Sequence, residues 1–359
     1  MTLQEAAAKR RPIRRATAAQ AAAEPAKFPA IAAPLLAWYR RTRRDLPWRT
    51  DRDPYRVWVS EVMLQQTQVE RVKEFFQRFL IRFPTVESLA VAPEREVLRL
   101  WEGLGYYRRA RQLHAAAQQI VAEHGGRFPE TSQALRTLPG IGRYTAGAIA
   151  SIAFKAREPI LEANSRRVFA RLVGHLEPVG GAGDEPLWRV AASLVPAGDP
   201  GGFNQAIMDL GAIVCTPTQP RCDHCPLVGS CVAHATGRVA EIPVTPPRRP
   251  RLAVIETTLI VRHGDRVLVE RRTAGSWWEG LWDFPLADAA AKAIRGDRRL
   301  PSIEYTVTHH RITRHLVVRR VAQPPATGRN RRLVSIPALA QLAMTAPGRR
   351  ISSQLSVGD

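Results

Sequence analysis

The sequence predicts a mainly α-helical domain followed by a smaller α+β domain. Three observations lead to this prediction. Apolar residues recur at helical spacing from about residue 28 to residue 203. A stiff stretch rich in proline and arginine then occupies 243–250, and runs of β-branched residues follow it. The 359 residues, 45% of them hydrophobic, are enough to build two cores.

Helical segments follow one another through the first part of the chain. Apolar residues lie at helical spacing over 57–83 and 94–104, and another helix is predicted over 205–214. Proline and glycine mark the expected breaks between helices, at Pro84, 103–105, 125–126, 139–140 and 180–183.

Strand patterns characterise the second part. Strands are predicted over 254–261 and 266–270, joined by a hairpin turn at 263–265, with more strand over 306–320. The chain is therefore divided into a disordered basic arm at 1–27, a helical domain at 28–235, a linker at 236–250, an α+β domain at 251–344 and a disordered tail at 345–359.

All four cysteines lie within seventeen residues, as Cys215, Cys222, Cys225 and Cys231. Four thiolates in a C-x6-C-x2-C-x5-C pattern suit one zinc ion or one iron–sulfur cluster. Structural zinc sites more often pair two short C-x2-4-C motifs, so the spacing favours [4Fe–4S] in a loop over 215–231. Two disulfides are the alternative, which a reducing cytosol disfavours.

The chain is strongly basic, with a net charge of +21 and a pI near 11.1. Such a charge indicates a polyanionic partner, most often a nucleic acid. No apolar run approaches the length of a membrane span, and the N-terminus lacks the apolar core of a secretory signal. We expect a cytoplasmic bacterial protein, associated with the nucleoid and not with membranes. A mitochondrial presequence is the alternative for the N-terminal arm, although Glu5 and Glu24 interrupt it.

A glycine-rich turn between two helical patterns occupies residues 138–146, which read LPGIGRYTA. Gly140 and Gly142 allow a tight turn that brings backbone N–H groups close to a phosphate at the start of the second helix. The string predicts a helix-hairpin-helix motif, which holds the DNA backbone without reading its sequence.

Several longer strings resemble the MutY-type adenine DNA glycosylases of the endonuclease III-like superfamily. They are LPWR at 46–49, SEVMLQQTQV at 60–69, GLGYY at 103–107 and FNQAIMDLG at 203–211. The resemblance implies the helix-hairpin-helix glycosylase fold with a [4Fe–4S] cluster on the four cysteines. It also implies double-stranded DNA with adenine opposite 8-oxoguanine or guanine as substrate, and we expect a monomer.

Glu61 is the expected catalytic acid. Apolar residues surround it in its helical segment, and burial would raise its pKa and keep a proton available for the leaving base. Tyr144 lies where bifunctional relatives carry a Schiff-base lysine, so the resemblance implies a monofunctional enzyme. It also implies that the Tyr144 hydroxyl lies beside Glu61 or the sugar.

Glu162 stands where the family has aspartate in an L-D-G/A-N segment, since residues 161–164 read LEAN. In the family that aspartate stabilises, or attacks, the oxocarbenium-like sugar. The extra methylene moves the carboxylate by about 1 Å, enough to affect catalysis. Three interpretations are open. The site has repacked so that Glu162 is correctly placed, or the enzyme catalyses the reaction slowly, or the chain binds mismatches without catalysis. We favour repacking, because Asn164 matches the family's supporting polar residue.

Other residues carry over from the family as DNA contacts. Gln66 and Tyr106 match residues that wedge into the duplex beside the target base. Leu104 lies in the same GLGYY string as Tyr106 and is a candidate DNA contact. Trp48, Arg49 and Asp209 match the adenine pocket, although Asp209 is alternatively a cap or salt-bridge residue.

The second domain resembles the MutT-like (Nudix) domain of MutY proteins, through GLWDFP at 280–285. The glutamate-rich helix that would bind magnesium is absent from the sequence, so no pyrophosphatase activity is expected. Val307, Thr308 and His309 align with the family's F-S-H loop, which recognises 8-oxoguanine. Thr308 keeps the hydroxyl and His309 is retained, whereas Val307 lacks the aromatic ring.

Two other functions remain open. The chain could remove another base, such as thymine opposite guanine or an oxidised pyrimidine. It could also bind mismatches without catalysis. Tyr144 and the second domain argue against a pyrimidine enzyme, and Glu61 with Asn164 argues against lost catalysis.

Overall fold

The computed structural model describes residues 31–246, 250–273, 275–287 and 294–355, first as helices and then as a sheet with one more helix. The predicted N-terminal arm at 1–27 and residues 247–249 of the linker lie outside this description. The helices before the linker are α1 (Ala32–Thr42), α2 (Pro54–Leu64), α3 (Val69–Arg82), α4 (Val86–Ala90), α5 (Glu94–Leu100), α6 (Arg108–His124), α7 (Ser132–Leu135), α8 (Arg143–Phe154), α9 (Ala163–Val173), α10 (Glu185–Leu194), α11 (Pro200–Ile213) and α12 (Val232–Ala235).

Two of the predicted helical segments are shorter than their apolar patterns. The segment 57–83 divides into α2 and α3, because the backbone at Gln66 is left-handed with φ of 57°. The segment 94–104 ends at Leu100, ahead of Gly103, where φ is 105°. Helices do not tolerate these backbone angles. At its other end, α2 begins where the Asp53 carboxylate accepts two backbone N–H groups.

The helices enclose two hydrophobic cores. The first collects α2, α3, α6 and the apolar face of α8. The second collects α1, α9, α10 and α11. Tyr144 packs against both cores, at the point where they meet.

A six-stranded sheet follows the linker, with strands β1 (Leu252–His263), β2 (Arg266–Arg271), β3 (Trp282–Asp283), β4 (Arg298–Val307), β5 (His310–Arg320) and β6 (Arg331–Ser335). The strand order is β3-β2-β1-β5-β4, with β6 paired to β2; β1 and β5 run parallel. The predicted hairpin between β1 and β2 is confirmed. The predicted strand 306–320 is instead two antiparallel strands, because the chain turns at Thr308, where φ is 53°.

The prediction of a disordered tail from residue 345 is wrong for most of that segment, which forms α13 (Ala346–Leu355). Pro347, Ile351 and Leu355 recur every four residues and are buried, the last two within the core of the sheet domain. Arg349 on another face forms an ion pair with Glu102 of the helical part, at 2.6 Å. None of the helices in the described part is long and apolar enough to cross a bilayer.

Candidate active site

A cavity of about 490 Å³ opens between the two helical cores. Seven of the predicted site residues line it, contributed by the turn before α2, by α2 itself, by the turn after α2 and by the starts of α8 and α9. They are Trp48, Arg49, Glu61, Gln66, Tyr144, Glu162 and Asn164. Residues more than a hundred positions apart in the sequence therefore meet at one place.

Glu61 is buried on α2, with 4% of its surface exposed. The Tyr144 hydroxyl donates a hydrogen bond of 2.5 Å to Glu61 Oε2. Burial raises the pKa of Glu61 to about 7, although the Tyr144 hydrogen bond and the Arg49 charge act to lower it. Burial also raises the pKa of Tyr144, so its hydroxyl stays a donor. The site therefore contains a carboxylic acid that holds and releases a proton near neutral pH.

Glu162 is the N-cap of α9. Its two carboxylate oxygens accept backbone N–H bonds from Asn164 (2.7 Å) and Ser165 (2.8 Å), and Ser165 Oγ accepts the Glu162 N–H in return. The start of a helix favours a negative charge. The carboxylate is thus held in one geometry at the cavity wall, and its charge acts to raise the pKa of Glu61.

Asn164 is held from behind by Arg167, a buried residue one turn further along α9. Arg167 donates to Asn164 Oδ1 (2.9 Å), to the Gly211 carbonyl (2.7 Å) and to the Cys215 carbonyl (2.7 Å). The sequence predicted no role for Arg167, because an arginine on an amphipathic helix usually faces solvent.

Asp209 does not line the cavity. It is fully buried on α11 and binds Arg49 at 2.7 Å and Arg44 at 2.6 Å. These two guanidinium groups line the cavity in its place. Asp209 is therefore a salt-bridge residue, which is one of the alternatives that the sequence left open. Arg44 is an additional cavity residue that was not predicted.

The two predicted wedge residues lie on exposed turns. Gln66 is exposed between α2 and α3, and 53% of the Tyr106 surface is exposed before α6. Both residues have positive φ values, of 57° and 51°. A groove of about 530 Å³ joins these turns to Gly140 and Gly142 of the hairpin.

The predicted DNA contact of Leu104 does not agree with the position of this residue in the structure. Its side chain is buried in the first helical core, with 5% exposed, and it lines neither the cavity nor the groove beside the hairpin. Gly140 meets the expectation for a tight turn, with φ of 76° and Gln112 Cβ only 2.7 Å from where a Cβ would stand.

The four cysteines form no disulfide and line one small cavity next to Arg171. Arg171 donates to Cys215 Sγ at 3.3 Å, and to the carbonyls of Ile242, Thr216 and Pro217. Burial, with the neighbouring thiol groups, raises the pKa of Cys225 to about 11. In the described residues, no three His, Cys, Asp or Glu side chains come together as a site for a single metal ion. Four thiols around one cavity nevertheless match the donors that an iron–sulfur cluster requires.

Thr308 and His309 form the turn between β4 and β5, away from the cavity. Thr308 Oγ1 lies 3.5 Å and 3.3 Å from the Nδ1 atoms of His309 and His310. The ring of Trp277, which is 39% exposed, lies 5.0 Å from that of His310. Trp277, which lies about thirty residues before this turn, was not among the predicted site residues.

The chain is similar to two families along its length. Residues 59–190 match the HhH-GPD superfamily of base excision DNA repair proteins, and residues 257–354 match the NUDIX domain. These matches confirm the predicted fold class, a helix-hairpin-helix glycosylase fold followed by a Nudix-like domain.

Individual relatives are similar over most of the chain. An adenine DNA glycosylase of Buchnera aphidicola (strain Sg) is 36% identical over 72% of this chain and 76% of its own length. The adenine DNA glycosylase of Rattus norvegicus is 46% identical over 70% of this chain, but the match spans only 59% of that longer protein. The solved structure of a thermostable thymine-DNA glycosylase is 31% identical with a TM-score of 0.51, covering 57% of this chain and 95% of its own.

Proposed function

Because the chain belongs to the adenine DNA glycosylase family, we propose that it releases adenine from DNA in which adenine is opposite 8-oxoguanine or guanine. One observation carries the proposal: a buried carboxyl group with a pKa of about 7, Glu61, lies at a cavity that a second carboxylate also lines. An acid and an anion on the two sides of a sugar are what base release requires.

In the proposed mechanism the target adenine leaves the helix and enters the cavity. Glu61, protonated, donates its proton to a ring nitrogen of the adenine, which makes the base a leaving group. Tyr144, hydrogen-bonded to Glu61, fixes the orientation of that carboxyl group. Arg44 and Arg49 line the same cavity and are held there by Asp209, so their position does not depend on the substrate.

Glu162 stabilises the positive charge that develops on the sugar as the C–N bond breaks. Its hydrogen bonds to α9 hold the carboxylate before the substrate arrives. Water then adds to the sugar, and Glu61, now a carboxylate, accepts the proton of that water. Tyr144 has no amine, so no Schiff base forms and the product is an abasic site in an unbroken strand.

The remaining predicted contacts serve DNA binding in this proposal. Gln66 and Tyr106 fill the gap that the extruded base leaves, and the hairpin at Gly140 and Gly142 binds the phosphate backbone. Thr308 and His309 contact the base opposite the adenine. The charge of +21 supports double-stranded DNA as the partner, bound by a monomer in the nucleoid of a bacterial cytoplasm.

The four cysteines hold a [4Fe–4S] cluster in this proposal. When the cluster is bound, the four thiolates would hold its irons, and these bonds would close the loop after α11. Arg171 already joins Cys215 to the Thr216 carbonyl within this loop and to the Ile242 carbonyl beyond it, which supports a structural role at the end of the helical domain. An iron count and a visible absorption spectrum of anaerobically purified protein test it; stoichiometric zinc without iron would contradict it.

A single-turnover assay tests the proposed reaction. Labelled duplexes carry A opposite 8-oxoguanine, A opposite G, T opposite G, or an oxidised pyrimidine, and alkali treatment reveals abasic sites. We expect release of adenine from the first two duplexes only, and loss of that release in Glu61→Gln. No adenine release, or release that Glu61→Gln leaves unchanged, contradicts the mechanism.

The similarity to a thymine-DNA glycosylase supports a second candidate function, removal of thymine opposite guanine. The third duplex of the same assay distinguishes the two. Cleavage there without adenine release would establish the thymine activity, whereas DNA binding without any release would indicate a mismatch-binding protein.

A further inference from the structure

Arg109, in the first turn of α6, is buried beneath the two exposed turns that carry Gln66 and Tyr106. Its Nη1 donates to the carbonyls of Val62 (2.8 Å), Met63 (2.9 Å) and Gln65 (2.5 Å). These oxygens belong to the last turn of α2 and the residue after it, which are short of hydrogen-bond partners inside the helix.

The second guanidinium nitrogen reaches both turns at once. Arg109 Nη2 donates to Thr67 Oγ1 (3.2 Å), beside Gln66, and to the carbonyls of Leu104 (3.3 Å) and Gly105 (3.0 Å), beside Tyr106. The guanidinium also lies 5.5 Å from the centre of the Tyr106 ring. One side chain therefore supplies hydrogen bonds to two turns that are forty residues apart in the sequence.

Both turns need such support, because Gln66 and Tyr106 have left-handed backbones without being glycine. Only 7% of Arg109 is exposed, and burying a guanidinium is costly unless its donors are satisfied. Both terminal nitrogens, Nη1 and Nη2, have acceptors, whereas Nε has no hydrogen-bond partner among the described residues. Within the part of the chain that the structure describes, Arg109 forms no ion pair, and it donates to carbonyls and to one hydroxyl. The hydrogen bonds of the buried Arg109 guanidinium therefore hold both exposed turns in place.

We propose that Arg109 is a positioning residue that joins the Gln66 turn and the Tyr106 turn into one unit, so that both enter the DNA together when the target base is extruded. This inference rests on the proposed function for the identity of the base. It concerns the opening of the duplex, a step that precedes bond cleavage and that Glu61 and Glu162 do not perform.

The test measures extrusion separately from excision. Protein carrying Glu61→Gln binds a duplex with fluorescent 2-aminopurine at the target position, and fluorescence rises when that base leaves the stack. Arg109→Lys in this background keeps the charge but loses the planar fork. We expect the fluorescence rise to fall at least fivefold. Thr67→Val, a milder change that removes one shared acceptor, should give a smaller loss of the same kind.

The second readout compares two substrates in otherwise unaltered protein. On a paired duplex, Arg109→Lys should slow adenine release at least tenfold. When the adenine lies opposite an abasic site, and is already unpaired, the loss should be less than threefold. A residue that only maintains the fold would slow both substrates equally.

Leu113→Ala is the matched control, because Leu113 is buried on α6 one turn further along and makes none of these contacts. Both variants, Arg109→Lys and Leu113→Ala, are measured at a temperature at which they are fully folded. Leu113→Ala should then change neither the fluorescence rise nor the ratio of the release rates on the paired duplex and on the duplex with an abasic site. A full fluorescence rise in Arg109→Lys, or no rise in protein with an intact Arg109, overturns the inference. A loss specific to Arg109→Lys in a protein that releases no adenine would support the inference and refute the proposed function.

Discussion

At the scale of single residues, the burial of Glu61, opposed by the hydrogen bond from Tyr144, sets the pH range in which the acid works. The protonated form of Glu61 is the active one in our mechanism, and its pKa is about 7. Release should therefore be independent of pH below this value and fall about tenfold per pH unit above it. Tyr144→Phe removes an interaction that lowers the pKa, so the falling limb should move to higher pH.

Single-turnover rates from pH 5.5 to 9 check this prediction in both proteins. A falling limb that stays in place in Tyr144→Phe, or moves to lower pH, would show that Glu61 is not the titrating acid. Tyr55→Phe serves as the control, since the Tyr55 hydroxyl donates to the Phe83 carbonyl on the far side of α2.

The same raised pKa predicts how stability depends on pH. The unfolded chain loses the Glu61 proton near pH 4.5, whereas the folded chain keeps it until about pH 7. Folding stability therefore falls as pH rises between these values, by on the order of 3 kcal/mol. Glu61→Gln cannot lose a proton, so it should raise the melting temperature at pH 8 and not at pH 4.5. Equal changes at both pH values would contradict the assigned pKa.

Glu162 gives a prediction about distance. Glu162→Asp keeps the charge and remains a good N-cap, so thermal stability should change little. Because the carboxylate retreats by about 1 Å from its working position, release should slow at least tenfold. Rates measured beside Glu162→Gln, which keeps the length but loses the charge, separate geometry from electrostatics. Faster release in Glu162→Asp would mean that the glutamate places its carboxylate less well for catalysis than an aspartate does.

At the scale of elements, α13 contributes to the sheet domain through side chains that the sequence analysis assigned to a disordered tail. Ile351 lies in the core of that domain and is fully buried. Ile351→Ala should lower the free energy of unfolding by about 2–5 kcal/mol, as for other large-to-small core substitutions. Ala346→Ser, at an exposed position of the same helix, is the control. A stability loss no greater than that of the control would show that α13 does not contribute to the core.

The elements also show where sequence reasoning succeeds. The α2 pattern and the β1–β2 hairpin were predictable because the period of apolar residues and a Gly-Asp turn are local signals. The divisions at Gln66 and Thr308 were not, since neither residue is glycine or proline, and other parts of the structure impose their positive φ. Arg167 and Asp209 were hard to assign because Gly211 and Cys215, which accept from Arg167, and Arg44 and Arg49, which bind Asp209, lie forty or more residues away in the sequence.

At the scale of the whole molecule, charge dominates the expected behaviour with DNA. Each phosphate neutralised by an arginine releases a counterion, so affinity for any duplex should fall steeply with salt. We expect at least a hundredfold loss between 50 and 200 mM salt, the loss that about four phosphate contacts produce. Fluorescence anisotropy with an undamaged duplex measures it. An affinity that does not depend on salt would exclude a phosphate-binding surface.

The two parts of the molecule touch directly. Leu281 of the sheet domain is buried in the first helical core, and Arg111 on α6 donates to the Glu279 carbonyl. Arg349 and Glu102 add an ion pair. The loop that carries Trp277 is therefore attached to α6, the helix that begins immediately after the Tyr106 turn.

The two helical cores meet at Tyr144, and each of them contributes one of the two carboxyl groups at the cavity. In the proposed mechanism, the proton donor Glu61 belongs to an element of the first core, whereas the anion Glu162 caps a helix of the second. Neither core alone holds both of the groups that break the glycosidic bond in this mechanism. A chain in which the two cores have not come together is therefore expected to release no base.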